Sequence, residues 1–292
     1  MRPPEEIDAT EMPKEWSGII PTETFINEAK RIANEGKKQG ITLRIMGGVA
    51  IRIHSIDFED FARKLGRLGE PAEQEFTDID FMAYRKQRKS MPDFFKVFGY
   101  SKRKTTLSSA ASERQIYFHP KGWFYIDVFY DALKMNHDIN FRGRLELDSP
   151  TITPTDLLLE KLQIVQFSEK DLKDTLVLLR AHEAGETEKE TINAKHIAKL
   201  LAVDWGFWYT VTNNLSGIRE IASKHKALTN THRKDIISKI DTIRNYIDNE
   251  PKSLSWKSRA ILGSKKKWYR PVETTDSVAG FGIWRMRKIF RE

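Results

Sequence analysis

The residues Phe76-Thr77-Asp78-Ile79-Asp80-Phe81 alternate in character from one position to the next. In a β-strand successive side chains point to opposite faces, so Asp78 and Asp80 share one face while Thr77, Ile79 and Phe81 share the other. Two carboxylates about 7 Å apart on one strand face repel unless a cation sits between them, the arrangement that divalent-metal chemistry uses. An edge strand whose acids simply face water is the competing reading of these six residues alone.

Upstream, Ile41 to Met46 reads as a short strand of β-branched and apolar residues, and it ends at Gly47-Gly48. Val49 to His54 then returns to helix-compatible sequence. Strand, glycine pair and helix form a phosphate-binding arrangement. Glycines let backbone approach a ligand, and a helix start presents N–H groups carrying partial positive charge. Gly-Gly turns are also common in ordinary loops, and neither a Gly-x-Gly-x-x-Gly nor a Walker-type pattern is present. Earlier still, Thr22 to Lys38 has helical spacing of Phe25, Ala29, Ile32 and Ala33. A further helix is predicted from Asp57 to Leu68, broken by Gly69-Glu70-Pro71.

Downstream, Lys86 to Phe98 is predicted helical. A hairpin follows: Arg114 to Phe118, a His119-Pro120-Lys121-Gly122 turn, then Trp123 to Tyr130. In its second strand Phe124, Ile126 and Val128 share one face, and Tyr125, Asp127 and Phe129 the other. Asp127 is a lone carboxylate in a strongly apolar strand, where a charge calls for a partner unless that edge meets water. After a polar stretch, Thr153-Pro154-Thr155-Asp156 is a strong helix start, with Thr153 as N-cap and Pro154 at the first position. The helix Pro154 to Phe167 turns Leu158, Leu162 and Val165 inward. Lys161 lies beside that stripe, either reaching toward the sheet edge or snorkelling to water. Ser168 to Asp174 opens another helix, running to His182. Ala184 to Glu190 reads as a linker, and Ile192–Val203, Phe207–His225 and His232–Ile247 as helices.

Composition bounds the class. A chain of 292 residues with 39% hydrophobic and 31% charged residues can bury a sizeable core and divide into two domains. No apolar run reaches the ~18 residues of a membrane span, and the N-terminus lacks the apolar core of a secretory signal. There is no cysteine, which excludes disulfides, thiolate catalysis and Cys-ligated zinc. A cytoplasmic protein with no membrane partner is the expectation. The seven His form no pair at His-Glu-x-x-His spacing, against a zinc hydrolase, and no Gly-x-Ser-x-Gly elbow supports Ser-His catalysis. From Pro251 to Glu292 eleven Lys/Arg face three Asp/Glu, so this tail carries the whole net charge of +8. Lys265-Lys266-Lys267-Trp268-Tyr269-Arg270 and Trp284 to Arg291 mix cations with aromatics. Such mixtures suit phosphate contact with base stacking, and equally a terminal segment docking its rings on the body.

The ordered series Gly47-Gly48, Asp78-x-Asp80, Asp127, a Pro-capped helix with Lys161, and Lys170-Asp171-x-x-Asp174 resembles the minimal nucleotidyltransferase superfamily. Within it the chain looks most like the abortive-infection-type nucleotidyltransferase toxins and allied uncharacterised proteins. The resemblance covers about residues 40–180. It implies an α+β fold, a mixed β-sheet flanked by helices (residues 1–183), followed by a helical domain with a basic tail (residues 184–292). By position, Gly47 and Gly48 would contact phosphate, and Asp78, Asp80 and Asp127 would be catalytic and bind Mg²⁺ or Mn²⁺. Lys161, Lys170, Asp171 and Asp174 would complete the nucleotide site. The insert between Gly48 and Asp78 is longer than in compact members of the family. The activity implied is transfer of a nucleoside monophosphate from a nucleoside triphosphate such as ATP to a hydroxyl on RNA, protein or a small acceptor. Asp127 would accept the proton, with Asp174 as the alternative. A silent nucleotide- or RNA-binding protein of the same fold is the rival reading. A cognate antitoxin is the partner the toxin resemblance implies.

Overall fold

A computed structural model describes residues 12–67, 74–103 and 114–272. In chain order the elements are α1 (Thr22–Lys38), β1 (Leu43–Met46), α2 (Gly47–His54), α3 (Glu59–Lys64), β2 (Asp78–Ala83), α4 (Met91–Val97), β3 (Ser101–Lys102), β4 (Arg114–Phe118) and β5 (Tyr125–Tyr130). Helices α5 (Pro154–Leu162), α6 (Glu169–Ala181), α7 (Ala194–Leu201), α8 (Trp205–Lys224), α9 (Asn230–Asn249) and α10 (Leu254–Leu262) follow. The fold is mixed α+β. Two units divide the described residues. The first takes in those up to Ile53 and those of 68–133 and 140–152; the second takes in 54–67, 134–139 and everything from Thr153 onward.

The first unit is built on a five-stranded sheet of order β1-β2-β5-β4-β3. Strand β2 runs antiparallel to β1 and parallel to β5, and β5 runs antiparallel to β4, making the sheet mixed. The predicted alternation holds in β2, where Ile79 and Phe81 are fully buried. Both faces of β5 are covered from Ile126 to Tyr130, as expected of a strand with a parallel neighbour in the middle of a sheet. Helix α1 packs on β1 and buries Phe25, Ala29, Ile32 and Ala33, with the Phe25 ring against Phe76 and Phe124. The β4–β5 hairpin closes where predicted, with the His119 N–H bonded to Phe124 O at 3.0 Å and the Gly122 N–H to His119 O at 2.8 Å.

Several boundaries differ from the sequence reading, each for a local reason. The segment from Lys86 is a 3₁₀ turn (Arg85–Gln87) before α4, because Pro92 supplies no N–H and fits only in a first helical turn. The predicted Asp57–Leu68 helix is a 3₁₀ turn (Ile56–Phe58) and the short α3. Ala184–Glu190 is not a bare linker: Glu183–Gly185 pairs in parallel with Thr191–Asn193. Helix α10 lies in a stretch that shows no clear periodicity in the sequence. Residues 273–292, with the basic aromatic stretch at Trp284, fall outside the described residues.

The second unit is helical, and its helix starts follow side-chain chemistry. Thr153 accepts the Asp156 N–H, Ser168 and Asp171 form a reciprocal capping box, and Asn193, Asp204, Thr229 and Ser253 cap α7 to α10. Its core includes Leu158, Leu176, Ile197, Val211, Leu215, Ile236 and Ile243. Among the described residues no helix is long and apolar enough to cross a membrane.

His137 lies within this core, its Nε2 2.8 Å from Thr210 Oγ1 and its ring stacked on Phe207 at 5.0 Å. Burial pushes its imidazole down from 6.5 to about 4. The unfolded chain therefore binds the extra proton first, and stability rises with pH between about 4 and 6.5 and is flat above. Urea unfolding of wild-type protein at pH 5 and pH 7.5 is expected to show this loss, about 3 kcal/mol at its fullest. In His137→Gln that component of the pH dependence should vanish. An unchanged slope in the variant would refute the assignment.

Candidate active site

Parallel pairing of β2 with β5 sets the site. Asp78 opens β2 opposite Tyr125, and two residues later Asp80 lies opposite Asp127. Directly paired residues share a face, so the three carboxylates predicted to act together occur on one face of two neighbouring strands. Asp78 and Asp80 are half-buried, and Asp127 is 3% exposed. The Tyr125 hydroxyl reads the field they make. Burial raises its pKa, a hydrogen bond to Asp78 and the charge of Asp78 raise it further, and Asp127 and Asp80 add to the same effect.

Asp127 has a partner the sequence did not reveal. Arg114 at the start of β4 places its Nη1 2.8 Å from Asp127 Oδ2. The register explains the meeting. Ile116 lies opposite Asp127, and Arg114, two residues earlier on β4, shares that face. Hairpin alternation carried this signal, but only once the register was known.

Gly47 stands at the junction of β1 and α2, with Met46 opposite Asp80. Its φ of +67° lies in the left-handed region, and a Cβ placed there would sit 2.6 Å from Asp80 Oδ2. Both facts demand glycine: the backbone must turn left, and the carboxylate occupies the space a side chain would need. Gly48, half-buried, is the second residue of α2.

Lys161, Asp171 and Asp174 also meet, within the second unit. Lys161 Nζ is 3.1 Å from Asp171 Oδ1 and 3.0 Å from Asp174 Oδ2. Arg67, which no sequence pattern linked to this group, bonds Asp174 through its Nε. Burial alone would lower Lys161, but Asp174 and Asp171 beside it hold its pKa well up. Burial would likewise raise Asp174, and Lys161 and Arg67 hold it below the usual carboxylate range. Asp171 also caps α6 through Ser168. Lys170 is exposed on α6, and its charge adds to the lowering of Asp174.

No protein-family model matches the chain, and no curated protein matches it. Among solved structures it is similar to the antibiotic-resistance factor ANT(2'')-Ia, at 12% identity over 62% of this chain and 96% of that one, with a TM-score of 0.37. It is also similar to an antigenic nucleotidyltransferase-like protein from Paracoccidioides brasiliensis, at 13% identity over 79% of this chain and 95% of that one, with a TM-score of 0.35. Likeness at this level says nothing about substrate or residue roles.

The buried Lys161–Asp174–Arg67 cluster makes a stability prediction. Asp174→Asn leaves two cations without their shared counter-charge, and is expected to cost about 3–5 kcal/mol in urea unfolding at pH 7. The contribution of Asp174 is present above about pH 4 and is lost as the pH falls through its lowered folded pKa. A loss below about 1 kcal/mol, the range of exposed pairs, would contradict this reading.

Proposed function

We propose that the protein is a metal-dependent nucleotidyltransferase that moves a nucleoside monophosphate from a nucleoside triphosphate to an acceptor hydroxyl. The observation that carries this reading is the in-register meeting of Asp80 with Asp127, with Asp78 on the same face and Gly47 backbone against Asp80.

Three carboxylates are hard oxygen donors, the set that suits Mg²⁺ or Mn²⁺. Bound by Asp78, Asp80 and Asp127, such ions would activate the acceptor hydroxyl and neutralise the pyrophosphate leaving group. The remaining work falls to the chain. Gly47 and Gly48 bring the start of α2 to the phosphates without a side chain in the way. Arg114 orients the Asp127 carboxylate. The acceptor oxygen attacks the α-phosphorus, the bond to the bridging oxygen of pyrophosphate breaks, and the hydroxyl proton passes to Asp127. Asp174 is unsuited to that role, because Arg67 engages one oxygen of its buried carboxylate and Lys161 the other.

RNA is the acceptor class we favour. Lys265, Lys266, Lys267 and Arg270 are exposed. Trp268 is docked: its Nε1 donates to Thr210 Oγ1 at 3.1 Å and its ring meets Tyr209 edge-on at 5.0 Å. The lysines thus supply phosphate contact while Trp268 serves as an anchor. The order of motifs resembles that of abortive-infection-type toxins, a reading in which a cognate antitoxin would be the partner.

Wild-type protein incubated with α-phosphate-labelled nucleoside triphosphates, Mg²⁺ or Mn²⁺ and total RNA is expected to label RNA, and Asp80→Asn to lose at least about a thousandfold of that rate. Expression in a bacterial host should arrest growth with the wild type and not with Asp80→Asn. No label transfer by folded wild-type protein with any nucleotide or lysate acceptor would leave a silent binding protein instead. Separately, replacing Lys265, Lys266 and Lys267 by Ala should weaken RNA binding and reduce the slope of log affinity against log salt by about 2 to 3. An unchanged slope would remove RNA from the proposal.

A further inference from the structure

The linear spacing of the histidines hides a cluster assembled by the fold. His54 ends α2, His182 follows α6, and Glu190 precedes Thr191–Asn193; the second unit holds all three. One donor atom from each lies within 4.8 Å of the other two. We propose that His54, His182 and Glu190 bind a divalent transition-metal ion of the zinc type, at a site separate in its residues from the three aspartates.

The donor set is the first argument. Two imidazoles and a carboxylate suit borderline ions such as Zn²⁺ or Co²⁺, whereas the all-carboxylate group suits Mg²⁺. Geometry is the second. His54 Nδ1 lies 3.4 Å and His182 Nδ1 3.7 Å from Glu190 Oε2. A tetrahedral zinc with bonds of about 2.0–2.1 Å has ligand–ligand edges of about 3.4 Å, so only small adjustments close the site. In the tautomer that binds through Nδ1, the proton of His182 sits on Nε2, which is buried without a hydrogen-bond partner among the described residues.

Access is the third argument. The imidazoles of His54 and His182 are 5% and 4% exposed, while the Glu190 side chain is 62% exposed. Two pre-placed nitrogens therefore lie beneath a carboxylate that can fold over an arriving ion, and water can complete the coordination. The Glu190 backbone has a φ of +48°, in the left-handed region. His182 Nδ1–H donates to Glu190 O at 3.2 Å, a bond exchanged for the ion when the ring proton moves to Nε2. A bound ion would tie His54 to the Glu183–Gly185 and Thr191–Asn193 ribbon within the second unit, a structural clip that needs no part in nucleotidyl transfer.

The test uses tag-free full-length protein stripped with chelator, titrated with Zn²⁺ by calorimetry under excess Mg²⁺ and with Co²⁺ by visible absorption. Wild-type protein and Asp80→Asn are expected to bind a single equivalent of Zn²⁺, to show Co²⁺ d–d bands of a nitrogen-containing site, and to melt at higher temperature with metal. The exposed Glu190→Gln should retain the fold and lose at least about tenfold in affinity, and His54→Asn should lose the bands. No saturable Zn²⁺ binding by the wild type, or binding that persists in both Glu190→Gln and His54→Asn, would overturn the proposal. So would binding lost in Asp80→Asn alone.

Discussion

The constraint on which the candidate site depends is the register of two parallel strands. With Asp80 opposite Asp127, two like charges are held side by side within a sheet, and Asp78 adds a third on the same face. Left to themselves such groups repel, and a fold that keeps them together must compensate the charge. Arg114 supplies part of that compensation at Asp127. A slip of β5 by one residue would send Asp127 to the opposite face and end the arrangement, because strand side chains alternate with a period of two. The apolar alternation of Ile79, Phe81, Ile126 and Val128 fixes the register, so core packing and site geometry are set by the same pairing.

Gly47 enforces the approach of a third segment. With a left-handed backbone and no side chain, it brings the start of α2 against Asp80. The charged group of Lys161, Asp171, Asp174 and Arg67 shows another use of buried charge. There the cations and carboxylates neutralise one another in place, and Asp171 doubles as a helix cap. One set of acids is closed by protein cations, while the set on the sheet keeps two half-buried carboxylates.

Much of this was legible from residue order. The alternation around Asp78 and Asp80, the glycine pair after a strand, the hairpin holding Asp127 and the Thr153 cap all rest on local periodicity, which a sequence displays directly. What was not legible depends on distance along the chain. Arg114 meets Asp127 through strand register, Arg67 reaches Asp174 from a loop after α3, and His54, His182 and Glu190 converge from three segments. The ribbon pairing Glu183–Gly185 with Thr191–Asn193 is hidden in a sequence where Ala184–Glu190 reads as a linker, because three-residue strands carry too few side chains for a period to show. The 3₁₀ turn before α4 goes with Pro92 in the first turn of that helix, a signal the sequence itself carries.

The central claim is that the carboxylates of Asp78, Asp80 and Asp127 share divalent ions with a nucleotide. Its most direct measurement is a crystal structure of the full chain with Mn²⁺ and a non-hydrolysable nucleoside triphosphate, using the anomalous signal of manganese to locate the ions. The account predicts anomalous peaks in contact with these three side chains and triphosphate oxygens beside Gly47. Nucleotide bound elsewhere, or manganese absent from the three carboxylates when nucleotide is present, would contradict it.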